Sequence, residues 1–190
     1  MEGDIMAIMG KHGVTANTPK NIVFGAGTIH KNMVKEGNKW TGGEIVGATN
    51  GGSKLSIVPE FVDVPVDGAN VLVKGLKVKT GETATMDVNF AEVTADVIAA
   101  AAAGKNTAGV ITSKAAIAEG DYWDNVAFVG KTVTGEEIIA VLPNALITSG
   151  FELEGKNKEG SVVACTFTCH AELEGDLDVL PWEIIYPVAE

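Results

Sequence analysis

The chain has 190 residues, 46% apolar and 21% charged, with 25 acids against 14 bases and a formal net charge of −11. That length buries a sizeable core without disulfides or metals, and the apolar share is too high for a disordered segment. All the bases are lysine and none is arginine, which argues against a nucleic-acid grip, because the planar guanidinium is the preferred bidentate partner of phosphate and guanine.

The charge is uneven. Residues 1–80 carry nine lysines against seven acids, and residues 81–190 carry five against 18. Different faces of the protein are therefore expected to meet different environments. The start, Met1-Glu2-Gly3-Asp4, is acidic, and the longest apolar stretch, Val97 to Ala103, is far too short for a span. Neither a signal peptide nor a membrane segment is expected, and synthesis and assembly are placed in a cytoplasm.

In chain order, residues 1–20 lack strong periodicity and are predicted to form an N-terminal arm. Gly25-Ala26-Gly27 lacks the third glycine of a dinucleotide fingerprint, and strand-like residues follow it where a helix should begin. Residues 31–54, with six glycines, are predicted to form a long loop, a feature that in a compact domain is usually functional or mobile. Leu55 to Val66 is apolar on both faces: Leu55, Ile57 and Phe61 on one, Val58, Val62 and Val64 on the other. Such a strand is either central in a two-layer fold or covered on its second face by another subunit, and the pattern leaves both open. Asp67-Gly68 predicts a tight turn, and Thr80-Gly81-Glu82 a break between strands.

Met86, Val88 and Phe90 alternate with Asp87 and Asn89, the period of a half-buried strand. Thr94 then offers an N-cap with Asp96 in the first turn, and an alanine-rich helix is predicted over 94–104, closed by Gly104. Val126 to Val133 and Ile138 to Leu142 are two-sided apolar strands around the turn Thr134-Gly135-Glu136. Ile147, Ser149, Phe151 and Leu153 alternate with Glu152 and Glu154, and the stretch Gly155 to Gly160 is a break. Finally Val163, Cys165, Phe167, Cys169, Ala171 and Leu173 alternate with Thr166, Thr168, His170, Glu172 and Glu174, predicting one long strand. The fold class is mainly β: a β-sandwich or partly closed barrel with one flanking helix and long loops, in one domain over 1–190.

No constellation for chemistry emerges. Cys165 and Cys169 would lie roughly 13 Å apart on one strand face, too far to bridge, and are expected as buried thiols. His170 points away from both, and His12 and His30 are isolated, so no metal set is expected. Asp87 with Glu92, or Glu152 with Glu172, could be imagined as a glycosidase dyad, but acids are spread over every polar face. Trp40, Trp123 and Trp182 are too scattered for a sugar platform. No cofactor and no enzymatic activity are expected.

The ordered series Gly47-Ala48-Thr49-Asn50-Gly51-Gly52, Leu55 to Asp63, Val66-Asp67-Gly68-Ala69, Val73-Lys74-Gly75 and Met86 to Thr94 resembles the major tail proteins of siphophages and prophages of Gram-positive bacteria. The resemblance covers about residues 25–104. It implies a tail-tube subunit that joins edge to edge into rings, commonly hexameric. The rings stack around a tape-measure protein, with terminator and tail-tip or baseplate proteins as further partners. DNA later passes through an acidic lumen without specific binding. Under it the expected location is the virion tail, and Asp87, Glu152, Glu154, Glu172 and Glu174 are candidates to face the lumen. The loop over 31–54 would reach the next ring. The other readings are a tube of a contractile tail or secretion system, a monomeric β-sandwich binding module, and a carboxylate-pair hydrolase.

Overall fold

The computed structural model describes residues 13–155 and 157–187. A 3-10 turn at Thr18–Asn21 leads into β1 (Val23–Lys31), β2 (Val34–Glu36), β3 (Lys39–Thr41), β4 (Glu44–Ile45), β5 (Thr49–Asp63) and β6 (Lys77–Phe90). The helix α1 (Ala95–Ala101) follows, then β7 (Gly104–Thr107), β8 (Val110–Ser113), β9 (Trp123–Thr132), β10 (Glu137–Ile147), β11 (Val163–Thr168) and β12 (Glu183–Ile185). The fold is mainly β with one helix, as the alternation predicts.

One antiparallel sheet runs β4-β1-β9-β10-β11-β6-β5, with β12 also paired to β10. The hinge is β10. Its first part pairs with β9 and β12, and only its last residues, Leu146 and Ile147, pair with β11. The sheet thereby folds into two layers whose inner faces meet. The segment from β4 to β5 crosses between the layers. Val46 donates to the Ile29 carbonyl at 2.9 Å, and Ala91 donates to the Ala48 carbonyl at 2.8 Å.

The period-two pattern supplies the core. Ala84, Met86, Val88 and Phe90 of β6 and Val163, Cys165 and Phe167 of β11 are buried against Ile29, Val126 and Leu142 from the other layer. Phe90 meets Phe167 edge to face at 6.3 Å between ring centroids, a favoured aromatic geometry. The two-sided apolarity of β9 and β10 is explained within the chain. Their reverse face buries Ala127, Ile139 and Val141 with Met33, under Trp40 of the β2–β3 hairpin and Ile185 of β12. Buried Asn125 holds that hairpin's entry, accepting from Met33 N–H at 2.9 Å and donating to its carbonyl at 3.0 Å.

The C-terminal segment clasps both layers with adjacent residues. The Trp182 indole donates to Glu82 of β6 at 3.0 Å. Glu183 accepts from the Trp40 indole at 2.9 Å and from Lys35. Lys79 reaches the other oxygen of Glu82 at 2.5 Å. The Lys79 hydrogen bond does most to hold the Glu82 carboxyl below its ordinary range against the opposing effect of burial, and Lys35 does the same for Glu183.

Several predicted boundaries move. The stretch 31–54, expected as a loop, contains β2, β3, β4 and the start of β5. Gly25 and Gly27, both at positive φ, bracket a β-bulge in β1, and a Cβ on Gly27 would collide with the Phe128 ring. Gly81 does not break a strand: it pairs with Glu60 beside an irregularity that β6 runs through. The strand expected at 147–154 ends at Ile147, because the Ser149 hydroxyl takes the N–H of Thr166 at 3.1 Å and replaces the ladder with a side chain. β11 stops at Thr168; the Cys169 N–H still reaches Ala84 O at 3.0 Å, but beyond it Leu173 is 88% exposed in a loop. Of the expected N-terminal arm, residues 1–12 lie outside the described residues, and 13–17 are exposed.

The helix is capped by Thr94 as expected but ends at Ala101, and Ala103 rather than Gly104 takes the left-handed position, at φ 46°. A Cβ is disfavoured there. Ala103→Gly is therefore expected to stabilise the fold by about 0.5–1 kcal/mol, a rise of roughly 1–4 °C in the melting temperature. The clasp gives a pH dependence. Because the folded pKa values of Glu82 and Glu183 lie below the unfolded ones, their stabilisation is present above the ordinary glutamate pKa and is lost as pH falls through the folded values. Melting temperatures measured from neutral to acidic pH are expected to fall less steeply on the acid side in Glu82→Gln and Glu183→Gln than in the parent chain.

Candidate functional site

The β5–β6 hairpin outruns the sheet that covers it. Its proximal half packs into the core, but from Val58 to Asp63 every residue of β5 is exposed, as are Lys77 to Thr80 of β6. The connection 64–76 is closed by two four-residue turns. Ala69 N–H donates to Val66 O at 3.1 Å, and Leu76 N–H donates to Val73 O at 3.2 Å. Gly68 and Gly75 take the third position of these turns at φ 86° and 96°. Only glycine adopts that conformation without strain, which is why Asp67-Gly68 is legible as a turn.

The projecting part exposes large apolar side chains on both faces, with Asp63, Lys77 and Lys79 beside Phe61 on one of them. Val58, Phe61, Val62, Val64, Val66, Val71, Leu72, Val73 and Val78 are all between 44% and 79% exposed. At the tip, Val64, Val66, Val71, Leu72, Val73 and Leu76 line an open cleft of about 390 Å³. β5 is also the last strand of the sheet, and no other strand among the described residues pairs with the outer edge of its 15 residues. The edge carries Lys54, Pro59, Glu60 and Asp63 and is broken by two irregularities, which restrict but do not close it to another strand. Sequence reading caught the two-sided pattern of Leu55 to Val66 without deciding what covers it. It did not single out Val71-Leu72-Val73, whose signal is an apolar triplet between two glycine turns.

The five acids proposed for a lumen fall in three places. Asp87 lies on the outer face of β6, opposite Lys54 in register, and accepts from the Thr166 hydroxyl at 2.7 Å. That face continues through Thr168 and Thr148, whose hydroxyls are 2.9 Å apart. Glu152 and Glu154 lie on the loop after β10, where Glu154 lines a shallow cleft with Asn50, Glu159 and Ser161. Glu172 and Glu174 belong to the loop after β11 and line a cleft with Glu119, Asp124, Tyr122 and His170. The dyad pairs are not assembled as facing acids. Glu92 is engaged by the Ala48 N–H at 3.1 Å while Asp87 takes Thr166, and Glu152 and Glu172 belong to different loops.

Among the described residues no group of three or more His, Cys, Asp or Glu gathers to hold a metal, and no helix is long and apolar enough to cross a membrane. His170 turns to backbone carbonyls, with Nδ1 at 3.0 Å from Thr168 O and 3.2 Å from Asn144 O, while Cys169 points inward. Cys165 and Cys169 are free and buried. Burial pushes their thiols up to about 11 and about 12, the second raised further by the charge of Glu82. The thiolate is the reactive form. Both thiols are therefore expected to resist an aromatic disulfide reagent at pH 8 in the native protein and to react at once in denaturant; fast native labelling would show that this core opens.

No family model and no curated protein matches the chain. Among solved structures, the chain is similar to one in a particle described as "Virion of native gene transfer agent (GTA) particle", with 14% identity, a TM-score of 0.43, and coverage of 83% of this chain and 95% of that one. A likeness at that level carries no argument about function.

Proposed function

We propose that this protein is a structural subunit that self-assembles into stacked rings forming a hollow tail tube of a virion, through which DNA is delivered. The observation that carries the reading is the projecting β5–β6 hairpin, which exposes nine large apolar side chains and borders the last strand of the sheet. Covering a half-exposed aliphatic or aromatic side chain is worth on the order of 1 kcal/mol. The nine exposed side chains of the hairpin together reach the range of the association penalty, roughly 4–15 kcal/mol. Edge pairing between a hairpin and a different surface of the next copy is a heterologous contact, which closes into a ring when the rotation allows.

The tail assignment rests on the sequence resemblance and on charge. A chain with net charge −11 and no arginine suits a channel that DNA slides through without sticking. In this reading the hydroxyl-lined face around Asp87 and the acidic loops holding Glu152, Glu154, Glu172 and Glu174 supply the lumen. The tape-measure, terminator and tip proteins are the other partners, and the protein is not an enzyme.

The test is electron microscopy of the concentrated full chain beside a variant in which residues 64–76 are replaced by a short Asn-Gly turn. The parent is expected to form rings or hollow tubes of uniform width. The variant is expected to keep the far-ultraviolet circular dichroism of a folded β protein and remain monomeric. A parent chain that stays monomeric at every concentration, or a shortened variant that assembles equally well, would overturn the role given to the hairpin.

A further inference from the structure

We infer that Asn50 is a self-modification site: the Gly51 nitrogen attacks its side-chain amide, and the folded chain passes through a succinimide to aspartate and isoaspartate forms. The chain has eleven asparagines, and only Asn50 is followed by glycine. Any other following residue shields its own nitrogen with a Cβ, whereas glycine leaves the approach open. The inference does not depend on the self-assembly reading.

The fold leaves the pair free to react. Asn50 and Gly51 are both exposed, at the foot of β5. The β5–β6 register steps from Thr49 opposite Phe90 to Ser53 opposite Val88, so Asn50, Gly51 and Gly52 stand against Asn89 alone. Such a bulge leaves its extra residues out of the ladder, and the main chain there can turn without breaking regular pairing. Gly51 and Gly52 lie at φ 90° and 79°. A Cβ on Gly52 would meet nothing within 4 Å, and one on Gly51 only the Asn89 amide at 3.6 Å, so there is room for the turn. Asn50 also borders an open cleft of about 440 Å³ with Glu154, Glu159 and Ser161, through which water reaches it.

Several other asparagines are pinned. Asn125 is 5% exposed and bonds through both side-chain atoms to the Met33 main chain. Asn106 donates to Asp96 and accepts from the Gly109 N–H, and Asn144 donates to the His170 carbonyl. Asp67-Gly68 offers the same glycine nitrogen, but an ionised carboxylate is a poor electrophile beside a neutral amide.

The steps balance. The Gly51 nitrogen loses its proton and bonds to Cγ of Asn50, while the Cγ–Nδ2 bond breaks and ammonia leaves with that proton. Water then opens the five-membered imide. Cleavage at Cγ gives aspartate; cleavage at the main-chain carbonyl of residue 50 gives isoaspartate. Either product adds a carboxylate beside the cleft that already holds Glu154 and Glu159. The isoaspartate form also lengthens the main chain by a methylene at the bulge, re-aiming the strand that carries the projecting hairpin.

The test is peptide mass mapping of the full-length protein, kept dilute at physiological temperature and mildly alkaline pH. Trypsin releases Trp40–Lys54, in which Asn50 is the sole amide side chain. That peptide is expected to gain a single mass unit before any other, resolved into two products of equal mass. The intact chain is expected to shift to later elution on anion exchange in parallel. Asn50→Gln, which must close a six-membered ring and does so far more slowly, is expected to lose the shift. Asn50→Asp is expected to elute late from the start, and circular dichroism checks that both variants are folded. An Asn50 that stays intact in the folded chain, whether or not the unfolded chain converts, would overturn the inference. Earlier conversion at another asparagine would overturn it as well.

Discussion

The structure turns on a mismatch of lengths. β5 and β6 run for 15 and 14 residues, while the strands that cover them are much shorter, β11 having only six. The core needs only the proximal half of the hairpin. The distal half keeps its strand pairing but has no second layer, so its apolar side chains on both faces remain in water. Backbone ladders make the hairpin stiff enough to project, and burial cannot draw it back onto its own domain.

Elsewhere the chain covers itself with care. β9 and β10 are equally two-sided, yet their outer face lies under Trp40, Met33 and Ile185. Asn125 satisfies the backbone of the covering hairpin, and Glu82 and Glu183 each take a tryptophan N–H and a lysine. These contacts use charged hydrogen bonds at half-buried positions, where they count for more than exposed ion pairs. The contrast gives the bare hairpin its meaning. Under the self-assembly reading, the pair of strands left open is the surface that another copy covers.

Much of this was legible in the sequence, for identifiable reasons. The alternation in Met86 to Phe90 and in Val163 to Cys169 is a period-two signal that burial enforces, and both hold in the structure. Asp67-Gly68, Gly135 and the Thr94 cap carry local stereochemistry that needs no tertiary context. What failed depends on neighbours. The pattern continues to Leu173 and to Leu153, but a strand ends where its partner does, and in the second case a serine hydroxyl replaces the ladder. The glycine-rich stretch 31–54 hides short strands whose pairing is set by distant Asn125 and Glu183. The acids proposed for a lumen sit on one strand and two loops, an arrangement that depends on where β10 and β11 end.

The central claim is that the outer edge of β5 and the apolar faces of its hairpin are covered by another copy. Amide hydrogen exchange, measured from dilute to concentrated protein, addresses it most directly. The account predicts that protection at residues 55–64 and 71–78 rises sharply with concentration, while the core amides of β9 and β10 stay protected throughout. Exchange in the hairpin that is fast and independent of concentration, up to the highest attainable, would contradict it.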